Sequence, residues 1–139
     1  MLYLRKTLIL LFVSVFALTS CKKDDDGPAT SNLLEQGRWR VALFAQGGVD
    51  KAAFFNDYEF RFGDNGVVTA SKSGASTVTG SWIVNDEDDD EIEVIFNFGS
   101  TTGFNGLNED WKVVERTSSR VRFEHSRSNG TDLLTLERF

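Results

Sequence analysis

The chain has 139 residues, 40% of them hydrophobic and 26% charged, which is the composition of one globular domain rather than of a disordered protein. Without Arg5 and Lys6 of the first twenty residues, 13 basic residues remain against 21 acidic ones, a net charge of −8. Because such an acidic chain repels phosphate groups, nucleic acid is not an expected partner. One cysteine excludes an intrachain disulfide and a zinc site built on cysteines.

The first twenty residues have the parts of a secretory signal. Arg5 and Lys6 supply a positive start, residues 7–18 are apolar and uncharged, and the small residues Thr19 and Ser20 follow. The apolar run is shorter than the roughly 20 residues that a membrane-spanning helix needs. Residues 1–20 are therefore predicted to be a signal peptide that is removed.

The only cysteine, Cys21, comes directly after this segment. The stretch LTSC, from Leu18 to Cys21, resembles the lipobox of bacterial lipoproteins. The resemblance implies that Cys21 becomes the first residue and carries a diacylglycerol, with a further acyl chain on the new amino terminus. Stable membrane anchoring takes about two such chains. The alternative is a soluble secreted protein with a free cysteine.

The next residues, 22–31, read KKDDDGPATS and are too polar to pack a core. We expect residues 21–31 to form the lipidated cysteine and a flexible tether that reaches at most about 33 Å. Lysine followed by acidic residues also resembles the export signal that sends some lipoproteins to the outside of the outer membrane. A lipid-anchored outer-membrane protein, with exposure at the cell surface, is the predicted location, and an ordinary solvated spacer is the alternative.

From residue 32 to residue 139 the hydrophobic pattern has a period of two, which is typical of half-buried strands. In the stretch EIEVIFNF, for example, Ile92, Val94 and Phe96 alternate with polar residues or with residues of the opposite face. Gly63-Asp64-Asn65-Gly66 is a hairpin turn signal. The pattern predicts about eight strands: 38–46, 57–63, 66–72, 76–84, 91–98, 110–116, 119–126 and 131–138.

Most of these strands are joined by short turns, so each is expected to pair with its neighbour in the chain. Eight such strands hide their edges best in a closed antiparallel up-and-down barrel, and a two-sheet sandwich is the alternative. Two connections are long, 47–56 and 99–109. Helical turns are expected near 32–36, where Asn32 would be the capping residue and Glu35 follows three residues later, and near 104–108.

The first strand opens with Gly37-Arg38-Trp39, which resembles the G-x-W signature of the lipocalins and their calycin relatives. The resemblance implies that Trp39 closes the floor of the barrel and that a basic residue from the last strand, here Arg138, packs across it. Residues 35–139 resemble the short lipocalin-like domains of bacterial lipoproteins. Further matching pieces are FRFGDNG at 60–66, Gly80-Ser81-Trp82, Leu107-Asn108 before Trp111, and the final LLTLER.

No catalytic, cofactor or metal motif is present in the sequence, so an enzyme is not expected. His125 lacks a nucleophile motif and is interpreted as a strand-end histidine. Asp86, Asp88 and Asp90 begin a calcium-loop spacing, but Glu91 and Asn97 stand where a glycine and a glutamate are required. The acidic run 86–91 is therefore interpreted as a solvated hairpin loop.

Aromatic residues are the remaining candidates for a binding site. They would line a cavity for a small hydrophobic ligand, with 47–56 as a lid over its open end, or they would simply fill the barrel, since eight strands leave little room. Two adjacent phenylalanines in a long connection are not required by strand packing. The candidate ligand-binding or lid residues are Phe54, Phe55, Phe60, Trp82, Phe104 and Trp111.

Two functions follow as hypotheses for a monomeric, membrane-tethered envelope protein. The first is non-catalytic binding of a small hydrophobic ligand inside the barrel. The second is a structural or interaction lipoprotein whose filled barrel presents its rim loops to a protein or glycan partner. The volume of the barrel interior discriminates between them: an open cavity of roughly 300 Å³ or more favours the ligand carrier.

Overall fold

The computed structural model describes residues 29–88 and 90–139. The predicted signal peptide, Cys21 and most of the predicted tether lie outside these residues. The described part contains one short helix, two 3-10 helices and nine strands. The helix and the 3-10 helices are α1 (Thr30–Glu35), Ala52–Phe55 and Asn105–Leu107. The strands are β1 (Trp39–Gln46), β2 (Val49–Asp50), β3 (Glu59–Phe62), β4 (Val67–Ser71), β5 (Val78–Asp88), β6 (Glu91–Asn97), β7 (Asp110–Arg116), β8 (Arg120–Arg127) and β9 (Gly130–Arg138).

The strands form a closed antiparallel barrel of eight, as the alternating pattern predicts. Strands β3 to β9 pair in chain order, and β9 pairs with β1 along most of its length, from Trp39↔Arg138 to Ala45↔Leu133. On its other side β1 joins β3 through a single residue pair, Trp39↔Phe60. This barrel is compatible with a calycin or lipocalin-like fold.

The ninth strand, β2, was not predicted. It forms a hairpin with the end of β1, where Gln46 pairs with Val49 and Gly47 and Gly48 make the turn. Both glycines have positive φ angles, +56° and +78°, which a two-residue hairpin turn of this kind requires. The first part of the connection 47–56 is therefore an extension of the sheet.

Two local predictions need correction. Strand β5 continues to Asp88 instead of ending at residue 84, because it goes on pairing with β6 through Asn85↔Glu93 and Asp88↔Glu91. The pairing tolerates the charges because this end of the hairpin faces water: Asp86 and Asp90 are exposed. Asn32 does not cap a helix, since α1 begins at Thr30, after Ala29, and Asn32 lies inside it.

The core lies inside the barrel and continues under α1. Inward-facing strand residues alternate with exposed ones, and in β1 the pair Trp39 and Val41 is buried while Arg40 and Ala42 are exposed. Leu33 and Leu34 of α1 are buried against the barrel floor, and Trp39 Nε1 donates a hydrogen bond to the carbonyl oxygen of Leu34 at 3.0 Å. The closed sheet and all described core residues lie within 30–138, so this part of the chain buries its own core.

Closure of the sheet brings the two ends of the domain together. Arg138 pairs with Trp39 across β9 and β1. Its guanidinium lies against Gly37, where a Cβ atom would be 2.8 Å from Arg138 Nε. A side chain at residue 37 would therefore displace the arginine, which explains why a glycine precedes the tryptophan by two residues.

Candidate functional site

Four of the six aromatic residues singled out in the sequence lie together at one end of the barrel. The ring centroid of Phe104 is 5.3 Å from that of Phe55, 5.7 Å from that of Phe54 and 6.2 Å from that of Phe60. Phe55 and Phe104 are 1% exposed although they come from the two long connections. They are part of the core, and Phe54, which is 46% exposed, covers them.

The two tryptophans of the set serve the framework: Trp82 lies at the β3–β4 turn, and Trp111 lies beside Phe44, with ring centroids 6.3 Å apart. Trp82 packs edge-on against Phe62 at 5.3 Å and donates from Nε1 to the carbonyl oxygen of Gly63. Trp111 is fully buried and donates from Nε1 to the carbonyl oxygen of Leu107 at 2.9 Å. A buried indole N–H needs such an acceptor, and neither donor is left free for a ligand.

The barrel interior is packed. The space left among its central side chains measures about 10 Å³, which is at the lower limit for a single water molecule. A pocket for a small organic ligand is typically roughly 300 Å³ or more. The side chains around this space are Val41, Phe60, Phe62, Phe96, Phe98, Leu107, Leu134 and Leu136.

An open groove of about 350 Å³ lies at the end where the long connections meet, and we call it the mouth groove. Phe44, Phe54 and Phe55 provide its apolar wall. Gln46 Nε2 donates to the carbonyl oxygen of Gly106 at 3.2 Å, and Lys51 Nζ donates to Gln46 Oε1 at 3.2 Å. Its lining residues are Phe44, Gln46, Lys51, Ala53, Phe54, Phe55, Gly103, Asn105 and Gly106.

A second groove, of about 800 Å³, follows the junction between β1 and β3, and we call it the seam groove. Only one residue pair, Trp39↔Phe60, joins these two strands, and they diverge beyond it. Sequence reasoning missed it: spacing in the sequence does not show where two neighbouring strands part. Its lining residues are Arg40, Val41, Ala42, Phe55, Asn56, Asp57, Tyr58, Glu59, Glu137 and Phe139.

His125 belongs to a network of polar residues at the same end of the barrel as the mouth groove. Its Nε2 lies 3.0 Å from Glu109 Oε2, and its Nδ1 lies 3.0 Å from the carbonyl oxygen of Asp110. Glu109 also accepts from Arg127 at 2.6 Å. Both ring nitrogens are engaged, and within the described residues no hydroxyl or thiol hydrogen-bonds to the ring. The arrangement orients side chains and lacks the nucleophile of a catalytic triad.

The buried member of this network is Asp132, which is 1% exposed. Its carboxylate accepts from the Arg127 guanidinium and from the backbone N–H of Gly47 at 3.3 Å. The hydrogen bond with Asp132 raises the pKa of Arg127 above its ordinary value, so Arg127 stays charged. The sequence carried a signal for this residue, since Asp132 has the inward parity of Leu134 and Leu136.

The acidic run 86–91 lies at the turn between β5 and β6, of which residue 89 is outside the described part. Glu91 forms an ion pair with Lys112 on the neighbouring strand β7, with 3.5 Å between Oε1 and Nζ. Among the described residues no group of three or more His, Cys, Asp or Glu side chains could hold a metal ion.

Within residues 29–88 and 90–139 no helix has the length and apolar character needed to cross a membrane. Comparisons with known proteins add no relative: no family model, no curated protein and no solved structure matches the chain.

Proposed function

We propose that this protein is a membrane-tethered lipoprotein of the cell envelope whose lipocalin-like barrel is a rigid, non-catalytic scaffold for contacts with another macromolecule. The observation that carries the proposal is the packed interior, with a residual space of about 10 Å³. A barrel without a chamber presents only its outer face and its rim to other molecules. The mouth groove and the seam groove are concave surfaces that such a partner could reach, and a further groove of about 580 Å³ lies near Gly37 and the β3–β4 turn.

The tethered location rests on the sequence. LTSC places Cys21 where a lipid would be attached, and the polar residues between Cys21 and α1 would hold the domain away from the headgroups. The predicted tether of 21–31 is too long by two residues, because Thr30 and Ser31 belong to α1. The Lys-Lys-Asp-Asp-Asp stretch directly after Cys21 supports the outer-membrane and surface assignment.

Lipid labelling tests this location. The full chain is expressed in a diderm bacterial host with an alkyne-bearing fatty acid, and the tagged protein is assayed for incorporation. Wild type should be labelled and should fractionate with the outer membrane, whereas Cys21→Ser should be unlabelled. Protease treatment of intact cells then distinguishes the surface from the periplasmic face. An unlabelled wild-type chain would contradict the lipoprotein assignment.

The scaffold role is tested by crosslinking in the native envelope. A photo-crosslinking amino acid at Val49 or Phe54, both exposed at the rim, should give a discrete adduct of higher mass. The same residue at Ile83, exposed on the outer face of β5 away from the rim loops, is the matched control. Equal adduct patterns at rim and control sites, or no adduct at all, would count against specific rim contacts.

A second candidate function is binding of a small apolar ligand, and the mouth groove is the observation that favours it. Its volume of about 350 Å³ falls within the usual range of ligand sites, and three phenylalanines line it. Native mass spectrometry of the protein, extracted gently from the source envelope, should then detect a bound small molecule that is lost in Phe54→Ala. Repeated recovery of the domain without added mass would reject this function.

A further inference from the structure

The seam groove exposes one edge of strand β1. Between Trp39, which pairs with β3, and Phe44, whose carbonyl accepts from the N–H of Lys51 at 2.6 Å, residues 40–43 have a strand partner only on the β9 side. Within the described residues no backbone hydrogen bond joins 40–43 to 55–58. This edge is a short row of backbone groups without a neighbouring strand.

The hydrogen-bonding direction of the edge follows from the ladder. The N–H of Phe139 donates to the carbonyl oxygen of Arg38, so the backbone groups of Arg38 point toward β9. The ladder with β9 is regular from Trp39 to Val41 and shifts its register only after Val41. Since direction alternates along this regular part, the N–H and C=O of Val41 point into the seam groove. A backbone in β conformation is the natural complement of such a pair of groups.

The setting of the edge restricts what can reach it. Residues 55–59 stand opposite β1 and form the far wall of the groove, so the edge is recessed. The edge of another sheet would bring its own neighbouring strand, which the wall would obstruct, whereas a single extended chain needs only the spacing of one strand, about 4.8 Å. The groove volume of about 800 Å³ leaves room for such a segment.

Both glutamates of the groove lining are already compensated by arginines, so the sign of a bound segment depends on Asp57. Three carboxylates line the groove, from Asp57, Glu59 and Glu137, against one guanidinium, that of Arg40. Glu137 is paired with Arg40 and Arg120, and Glu59 with Arg38 and Arg61. The nearby cation Lys72 lies over the Tyr58 ring, 4.7 Å from its centroid.

Asp57 is the acidic side chain left without a partner on the wall of the groove. It is exposed and makes no hydrogen bond or ion pair with any described residue. Its φ angle of +69° is unusual for a residue with a side chain, although aspartate tolerates this region better than most. The groove therefore offers one uncompensated negative charge beside an open strand edge.

We propose that the seam groove binds an extended polypeptide segment of a partner protein, which adds a strand to β1 at Val41 and places a lysine or arginine against Asp57. This inference rests on the proposed scaffold function and names the surface and the chemistry of the partner.

Selection from a random heptapeptide phage library on immobilised domain 29–139 is the primary test. The selected peptides should be enriched in lysine or arginine and in β-branched residues. Asp57→Asn should weaken their binding about three- to fivefold, an effect that shrinks at high salt. Asp64→Asn removes an equally exposed carboxylate from the β3–β4 turn and should leave binding unchanged.

A separate experiment tests whether the peptide binds as an added strand through its backbone. A selected peptide is resynthesised with N-methyl groups on alternate amides, which keeps its side chains and removes the N–H donors of the methylated residues. There are two such sets of alternate amides, and methylation of at least one of them should weaken binding about tenfold. Amide hydrogen exchange at Val41 should slow when the unmodified peptide binds. Selection of no peptide, a lack of basic residues, equal binding to Asp57→Asn, or indifference to both methylation registers would each overturn the inference.

These outcomes distinguish a failure of the seam-groove inference from a failure of the proposed scaffold function. If a rim adduct forms in the envelope and is equally strong in Asp57→Asn while the peptide tests fail, the scaffold function stands and the seam inference falls. If no adduct forms at the rim sites or at Asn56 in the seam groove, the scaffold function falls, whatever peptides the library yields.

Discussion

The far edge of the Phe54 ring lies against Gly103. A Cβ atom on Gly103 would be 2.1 Å from Cζ and 2.5 Å from Cε1 of that ring, far inside contact distance. The contact joins the connection that follows β2 to the connection between β6 and β7, and it holds Phe54 over Phe55 and Phe104. One glycine thus fixes the position of the most exposed aromatic ring at the mouth groove.

Substitution of this glycine should displace the ring. Gly103→Ala adds a methyl group that overlaps Phe54 and also strains a φ angle of +83°, so we expect a loss of about 2–4 kcal/mol in the free energy of unfolding. Gly74→Ala is the matched control, because Gly74 has a φ angle of +79° and open space around it, and it should lose only about 1–2 kcal/mol.

The larger loss of stability expected at Gly103 can be assigned to Phe54 by repeating the substitution in a Phe54→Ala variant. In Phe54→Ala the overlap is absent, so Gly103→Ala should then cost no more than Gly74→Ala in urea unfolding. An equally large excess cost in both backgrounds would show that Phe54 is not the group displaced.

Trp39→Ala should destabilise the domain by about 3–5 kcal/mol, because its indole is fully buried between the barrel floor and α1. Urea unfolding of the 29–139 domain measures this loss. Ile83→Ala, at a side chain that is 62% exposed, should change stability by less than about 0.5 kcal/mol. A loss under about 1 kcal/mol for Trp39→Ala would mean that the tryptophan does not close the barrel.

Gly80→Ala should be costly although glycine is otherwise unfavourable in strands. A Cβ atom there would be 2.6 Å from Cδ1 of Phe98 and 2.7 Å from the carbonyl oxygen of Asn97, so the backbone of β6 would have to move. We expect a loss of about 1–3 kcal/mol in thermal or urea unfolding. Ser81→Ala, an exposed neighbour, should be neutral within about 0.5 kcal/mol, and a neutral Gly80→Ala would contradict the tight packing of β5 on β6.

Asp132→Ala should lower stability by about 1–3 kcal/mol, since it removes the buried acceptor of the Gly47 N–H and of the Arg127 guanidinium. Because the pKa of Arg127 is raised, its guanidinium loses its charge only far into the alkaline range. Titration of Arg127 should therefore not change the stability loss caused by Asp132→Ala between pH 6 and about pH 9. Glu115→Ala, which breaks the exposed pair with Arg122, should cost less than about 1 kcal/mol, and equal costs would argue against the buried role of Asp132.

The architecture could be predicted because each strand must hide one face. The alternation of β6, in which Val94 and Phe96 are buried while Glu91 and Asn97 are exposed, is local information that any window of the sequence contains. The ends of strands were harder to predict where pairing continues beyond the hydrophobic alternation. Strand β5 continues through Asn85 to Asp88 because it pairs with β6 there.

The candidate sites depended on contacts between segments that are distant in the chain. Phe55 and Phe104, in connections of different hairpins, look like lid residues in sequence, yet both enter the core and occupy the space that a ligand would need. Asp132, with its partners Gly47 and Arg127, was missed for the same reason, although its inward parity was visible.

The period of two and the short turns predicted an all-β fold, and they favoured a closed barrel over a two-sheet sandwich because closure leaves eight half-buried strands without an open edge. From the same sequence come the predictions of a signal peptide, a lipidated Cys21 and an envelope location, which depend on motifs rather than on folding. The packed interior and the separation of β1 from β3 after one residue pair are seen only in the folded protein. Those features depend on how the side chains of separate segments share one volume and on where two strands diverge, and neither quantity is local to any stretch of the chain.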